Sequence, residues 1–311
     1  MNTAIVRTEE LSRSFGSVQA VNKLSLEVPA GIVFAFLGPN GAGKTTTILL
    51  LLGLLEPSHG RASILGFDTR KQADKIRERA GALLEFSGLY ERMSAEDNLD
   101  FYGRIYQMSA SERRARIKEL LTHLDLWDRR GERVGTWSRG MKQQLAVARA
   151  LLHHPQLLFL DEPVAGLDPM AASRLNDELA SLVKQEGVTV FLNTHNMADA
   201  QKLADQVGVI RHGKLLAVGN PDELRLKQGG PRAEIYGHGF TSQMVDALKQ
   251  QPGVVNAEQS KNHLSIELRD GSDVGPLVHL IVQQGGVVEE VRRGAADLED
   301  VFLALMEEQR A

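Results

Sequence analysis

The sequence predicts two domains: an α/β domain built on a parallel sheet, then a small α+β domain of ferredoxin-like topology. Three observations lead there. Apolar runs at residues 32–37, 157–160 and 188–192 alternate with stretches of helical periodicity and end at polar or Gly residues, as buried parallel strands joined by helices do. The segment Lys227, Gln228, Gly229, Gly230, Pro231 breaks helix and strand alike and reads as a linker, which sets the domains at residues 1–226 and 232–311. The length of 311 residues is also about twice that of a common ~150-residue domain.

Between the first two apolar runs lies a mostly helical insertion. Ser109 and Glu112 have the spacing of a capping box, and Ile117, Leu120, Leu121 and Leu124 fall on one face of the helix they open. Arg113, Arg114, Arg116 and Lys118 then read as its solvated face. Ser138 reads as the N-cap of a further helix whose Met141, Leu145, Ala148 and Leu152 share a face before Pro155 stops it. Past the linker the pattern predicts strand 233–237, helix 241–251, strands 254–259 and 263–269, helix 274–284 and strand 287–292. Asp270-Gly271 and Gly285-Gly286 supply turns, and residues 298–307 form a closing helix. A β-α-β-β-α-β order is that of a ferredoxin-like unit.

Composition narrows the function classes. With 42% hydrophobic and 24% charged residues the chain has the make-up of an ordinary globular protein. Lys plus Arg number 36 against 40 for Asp plus Glu, a net charge of -4, which offers no excess positive charge to nucleic-acid phosphates; no nucleic-acid partner is expected. The absence of Cys excludes disulfides, thiolate metal sites and Cys nucleophiles, and is compatible with a reducing cytoplasm. The longest apolar run, residues 48–55, is far short of the roughly 20 residues that cross a bilayer, so a membrane role would pass through a partner.

The chemistry gathers in the first domain. Gly38, Pro39, Asn40, Gly41, Ala42, Gly43, Lys44, Thr45 and Thr46 carry the Gly-x-x-x-x-Gly-Lys-Thr phosphate loop, between a strand and a helical stretch as the motif requires. Gly41 and Gly43 let backbone N–H groups face inward as an anion nest, and the helix start adds positive potential. Lys44 then reaches β- and γ-phosphates, and the Thr45 hydroxyl is placed for Mg2+. A phosphate loop alone leaves kinases, GTPases and ATPases open. The buried strand at 157–160 delivers Asp161 and Glu162 at its carboxyl end, where open α/β sheets bind ligands. Asp161 suits the Mg2+ shell, and Glu162 suits orienting or deprotonating an attacking water. The run at 188–192 delivers Asn193, Thr194 and His195 to the same edge.

These residues resemble the ATP-binding cassette (ABC) ATPases that energise transporters, most strongly over residues 3–226. Thr136, Trp137, Ser138, Arg139, Gly140, Met141, Lys142, Gln143 and Gln144 look like the family's signature, with Ser138 and Gly140 in its most informative positions. The resemblance implies ATP and Mg2+ as cofactors, with Phe15 as the aromatic that stacks on adenine and His195 as the switch residue at the γ-phosphate. It implies a head-to-tail homodimer in which each signature closes over the partner's nucleotide, with Asp168, in the loop Ala165, Gly166, Leu167, Asp168, communicating across the interface. Glu85 stands where the family usually has the Gln that senses Mg2+ and couples to the membrane subunit. A carboxylate accepts Mg2+ or water but donates no amide hydrogen bond. Trp137 and Arg139 replace the commoner Leu and Gly. A C-terminal extension with Leu298, Glu299, Asp300, Val301, Phe302 resembles that of drug-exporter and multidrug-type members.

The expected protein is therefore the ATP-hydrolysing subunit of an exporter, cytoplasmic and peripheral on the cytoplasmic face of the cell membrane, bound to a separate integral-membrane permease. The rival is an ABC-type ATPase acting on nucleic acid or ribosomes. Thr45 and Asp161 are too close for the long coiled-coil insertion of chromosome-maintenance members, and the one phosphate loop departs from the paired cassettes of translation-type members. A small-molecule P-loop kinase would leave the signature, Asp168 and His195 without a role.

Overall fold

The computed structural model describes residues 4–85, 87–228, 231–269, 271–295, 299 and 301–302. The chain divides into two compact units, residues 1–218 and 219–311. The boundary falls ahead of the expected linker. Lys227 and Gln228 belong to a helix and Pro231 opens a strand, while Gly229 and Gly230 lie outside the described residues.

The first unit opens with two strands absent from the sequence reading, β1 (Ala4–Phe15) and β2 (Val18–Pro29), paired antiparallel. Next come β3 (Val33–Leu37), α1 (Lys44–Leu51), β4 (His59–Ile64), β5 (Phe67–Asp68), α2 (Ala73–Arg77) and β6 (Ala80–Leu83). The helical insertion holds α3 (Ala95–Ile105), α4 (Ala110–His123) and α5 (Arg139–Leu151). The chain then alternates β7 (Leu157–Asp161), α6 (Pro169–Glu186), β8 (Thr189–Thr194), α7 (Met197–Leu203), β9 (Gln206–Arg211) and β10 (Lys214–Gly219). Two sheets result, of order β2-β1-β4-β5 and β10-β9-β3-β8-β7-β6. Within the second, β9, β3, β8, β7 and β6 run parallel, as the three apolar runs predicted.

Side chains alternate across a strand, so each central strand serves two cores. Phe34, Phe36, Phe159 and Phe191 turn to one face and pack with Val6, Leu24 and Ile64 of the antiparallel sheet; Phe34 and Phe191 lie 5.2 Å apart, centroid to centroid. Leu158, Leu160, Val190 and Leu192 turn to the other face, against Leu99, Leu121 and Leu145 of the helical insertion. Each fully buried side chain of this size contributes about 1.5–3 kcal/mol.

The capping box forms as predicted: Ser109 Oγ accepts from the Glu112 N–H, and the Glu112 carboxylate accepts from the Ser109 N–H at 2.8 Å. The solvated face of α4 needs correction. Arg114 and Lys118 are exposed, but Arg116 is buried, bonding Glu186 and the Leu151 carbonyl, and Arg113 holds Asp100 at 2.7 Å and the Met108 carbonyl. These arginines fasten α4 to α3, α5 and the end of α6. Burial is tolerated because carboxylates and carbonyls meet the terminal guanidinium N–H groups, although Arg116 Nε is buried without a hydrogen-bond partner among the described residues.

The second unit contains α8 (Pro221–Gln228), β11 (Pro231–His238), α9 (Ser242–Lys249), β12 (Val254–Ser260), β13 (His263–Leu268), α10 (Gly275–Gln283) and β14 (Val287–Ala295). Its sheet has order β12-β13-β11-β14, antiparallel throughout, which with β-α-β-β-α-β connectivity is the ferredoxin-like arrangement predicted. Ala233, Ile235, Leu264 and Ile266 pack with Leu248 of α9 and Leu277 and Ile281 of α10. Most of the predicted closing helix lies outside the described residues; Glu299, Val301 and Phe302 are helical, and Val301 and Phe302 are buried.

Candidate active site

The loop from Gly38 to Gly43 joins the buried end of β3 to α1. Two of its glycines are demanded by their surroundings. A Cβ on Gly38 would overlap the Ile210 carbonyl, and one on Gly43, whose φ is +103°, would overlap the Ala20 carbonyl. Lys44 folds over the loop, donating to the Gly38 carbonyl at 2.6 Å, and its ammonium lies 3.7 Å from Glu162. Burial lowers its pKa below the ordinary lysine value, against the pull of Glu162 and Asp161.

The acidic pair behaves as two different groups. Asp161 ends β7, is buried, and accepts from Thr45 Oγ1 at 2.6 Å and from Asn193 Nδ2 at 3.2 Å. Glu162 has left the strand for a left-handed backbone, φ +50°, held by its N–H to the Asn193 carbonyl at 3.0 Å. Its Oε1 lies 2.8 Å from His195 Nδ1. An ionised carboxylate only accepts, so Nδ1 carries the proton in this bond, which fixes the ring. Lys44, Thr45, Asp161, Glu162 and His195 thus form one connected set drawn from three parallel strand ends.

A cleft of about 320 Å³ lies over this set, lined by the phosphate loop from Pro39 to Thr46, Asp161 and Glu162, and also by Val18, Gln19, Ala20 and His212. The last four were not found from the sequence, since neither the β1–β2 turn nor a lone His-Gly pair carries a motif. Phe15 ends β1 beside Val18, 48% exposed, with the Arg13 guanidinium 4.6 Å from its ring centroid. Glu85 follows β6 in an exposed bend and lines neither this cleft nor the next. A larger cavity of about 790 Å³, lined in part by Arg77, Tyr102, Tyr106 and His153, lies away from these residues.

Ser138, Gly140 and Asp168 meet in a second cleft of about 460 Å³. Ser138 caps α5, its Oγ accepting from the Met141 N–H, and Asp168 caps α6, accepting from the Ala171 N–H at 2.9 Å. Two helix starts therefore face one space. The departures at 137 and 139 have separate places: Trp137 is buried with its indole N–H on Glu132 at 3.2 Å, and the Arg139 guanidinium lies over the open face of Gly166.

Residues 21–165 match the ABC transporter family model. Over 98% of both chains, 35% of residues are identical to the bacitracin transport ATP-binding protein BcrA of Bacillus licheniformis. The chain belongs to the ABC transporter family. It is an ATP-binding, ATP-hydrolysing subunit of that family. The daunorubicin resistance ATP-binding protein DrrA3 of Streptomyces coeruleorubidus is 34% identical over 100% of this chain and 98% of its own. The structure of cbiO1 from Clostridium perfringens, part of the ABC transporter complex cbiONQ, superposes with a TM-score of 0.67 at 29% identity, over 72% of this chain and 91% of its own. Residues 219–306 match the family described as ATP-binding protein DrrA1-3-like, C-terminal domain, which begins at the same residue as the second compact unit of this ABC transporter subunit. Among the described residues no helix is long and apolar enough to cross a membrane.

Proposed function

We propose that two copies of this chain hydrolyse Mg-ATP head to tail and drive export through a separate integral-membrane permease, on the cytoplasmic face of the cell membrane. The observation that carries the proposal is the pair of clefts. One holds a phosphate loop and Glu162, to which His195 is hydrogen-bonded at 2.8 Å; the other holds two helix starts, with Ser138, Gly140 and Asp168, and no phosphate loop of its own. A complete site forms when the second cleft of one copy covers the first cleft of the other. Relatives named for bacitracin transport and daunorubicin resistance support export.

The donor set suits Mg2+. Thr45 Oγ1 and Asp161 Oδ2 are hard oxygens already within 2.6 Å of each other, and Asn193 steadies the second carboxylate oxygen. Thr45 and Asp161 would hold the ion, and the ion would neutralise charge on the β- and γ-phosphates; Glu85, which lines neither cleft, stands apart from this donor set. Lys44 would leave the Gly38 carbonyl for those phosphates, and Glu162 would take a proton from the attacking water. His195, positioned through Glu162, would contact the γ-phosphate, and Phe15 would stack on adenine. Tyr90 and Phe101, exposed with ring centroids 5.0 Å apart on the segment after Glu85, support a partner surface beside the coupling loop.

Affinity purification from detergent-solubilised membranes tests the reading. An integral-membrane protein should co-purify and raise the rate of ATP hydrolysis. Recovery of ribosomes or nucleic acid in its place would overturn it.

A further inference from the structure

One wall of the phosphate-loop cleft belongs to none of the motifs. It is the turn between β9 and β10, where His212 has φ +47° and Gly213 φ +76°. Two consecutive left-handed residues make the type I′ connection that suits a tight hairpin. Gly is at ease there; His is not, and a side chain held in this region is uncommon. The turn is fastened on both sides. The Gly213 N–H donates to the Ala42 carbonyl within the phosphate loop at 2.9 Å, and the Gly213 carbonyl accepts from the Asn22 N–H of β2 at 2.9 Å. A Cβ at 213 would press into the backbone of Ala20 and Val21, so the turn sits directly against that strand. Its position is therefore as fixed as the loop's own, and it brings exposed His212 to the cleft with Val18, Gln19 and Thr46. The imidazole has no hydrogen-bond partner among the described residues.

We propose that His212 is a nucleotide-contacting residue that donates an imidazole N–H to the ribose of bound ATP. The placement argues for that end of the ligand. Lys44, Thr45, Asp161 and Glu162 gather where β- and γ-phosphates bind, whereas His212 is carried on backbone that touches Ala20 and Ala42, on the side of the cleft that leads to Phe15. The role is one of affinity; the residue takes no part in breaking the γ-phosphate bond.

The proposal rests on the ATP site described above, and the test separates the two. His212→Gly removes the imidazole while easing the left-handed backbone, so the turn persists; His212→Asn also tolerates this conformation but presents a shorter side chain. Full-length wild type and both variants are titrated calorimetrically with Mg-ATP, ADP and tripolyphosphate, and steady-state hydrolysis is measured. A single hydrogen bond to a charged or polar ligand group corresponds to a roughly 3–30-fold change in affinity. Both variants should bind ATP and ADP more weakly by that factor, bind tripolyphosphate as wild type does, and raise KM with kcat unchanged. Wild-type ATP affinity in either variant would overturn the contact. An equal loss for tripolyphosphate would overturn it too, because the turn would then be shaping the phosphate loop. Failure of wild type itself to bind ATP would instead bring down the reading of the whole site.

Discussion

Replacing Glu162 with Gln exchanges one carboxylate oxygen for an amide nitrogen and leaves shape, backbone and neighbours in place. The left-handed backbone at 162 is equally demanding for Glu and Gln, so no new strain enters. The amide oxygen still accepts from His195 Nδ1, now 2.8 Å from Oε1, and Thr45, Asp161 and Asn193 do not depend on Glu162. What is lost is a proton acceptor and a negative charge 3.7 Å from the Lys44 ammonium. Removal of a positioned general base lowers turnover by about 10²–10⁴-fold, or about 2.7–5.5 kcal/mol in the barrier. ATP affinity should be unchanged or tighter, since Lys44 no longer has that carboxylate to leave. Unhydrolysed ATP shared between the cleft over Lys44 of one copy and the Ser138–Gly140 end of another then acts as a ligand of the dimer, and mass action shifts association. Sedimentation velocity with and without Mg-ATP, beside a phosphate-release assay, reads both effects. The mutant should dimerise on ATP, and Glu162→Gln with Ser138→Arg should not. Because Ser138 caps α5, that second change also costs about 1 kcal/mol of stability, so melting curves accompany it. Turnover at the wild-type rate would remove Glu162 as the base. ATP binding without dimerisation at high concentration would refute the shared site.

Three further outcomes are expected. Lys44→Ala should weaken ATP binding and abolish hydrolysis with little loss of fold, since its main bonds run to loop carbonyls; calorimetry and phosphate release check the first, melting the second. Arg116→Ala should destabilise the first unit by about 2–4 kcal/mol in urea unfolding, because Glu186 and the Leu151 carbonyl lose their partner, whereas Arg114→Ala on the exposed face should shift it by less than about 0.5 kcal/mol. His153, stacked on Tyr106 at 3.8 Å, has its pKa lowered by burial to about 4. The unfolded chain therefore binds more protons than the native one between about pH 6.5 and 4, and stability present above pH 6.5 falls as pH drops through that window. His153→Phe keeps a stacked ring without a titrating nitrogen, so the drop in melting temperature from pH 7.5 to pH 5 should be smaller than in wild type.

The parallel sheet was legible because strands buried on both faces read as unbroken apolar runs, whatever surrounds them. The antiparallel sheet was not. Along β1 and β2 buried residues alternate with Arg7, Glu9, Lys23 and Glu27, so the apolar signal is halved, and Arg7–Glu27 pairing across the strands is a tertiary fact. Arg116 was misread for a related reason. Helical periodicity places it beside Arg113 and Arg114, but only the fold brings Glu186, seventy positions on, under its guanidinium. At the site, spacing alone located the phosphate loop and the acids at the end of β7, since those motifs are local. The left-handed turn at Glu162 and the wall at His212 depend on hydrogen bonds donated to the Asn193 and Ala42 carbonyls, which no local pattern encodes.

The bond between Gly213 and the Ala42 carbonyl also bears on how this subunit can be altered. Exposed hairpin turns are where insertions are normally accepted, so the β9–β10 connection would look like a natural place for an epitope or a fluorescent reporter. Here that turn is spliced to the phosphate loop and to β2, and lengthening it would displace Ala42 together with Gly43 and Lys44. The hairpin turn at Lys261 and Asn262, in the second unit, joins β12 and β13, is exposed, and is the better site for a tag.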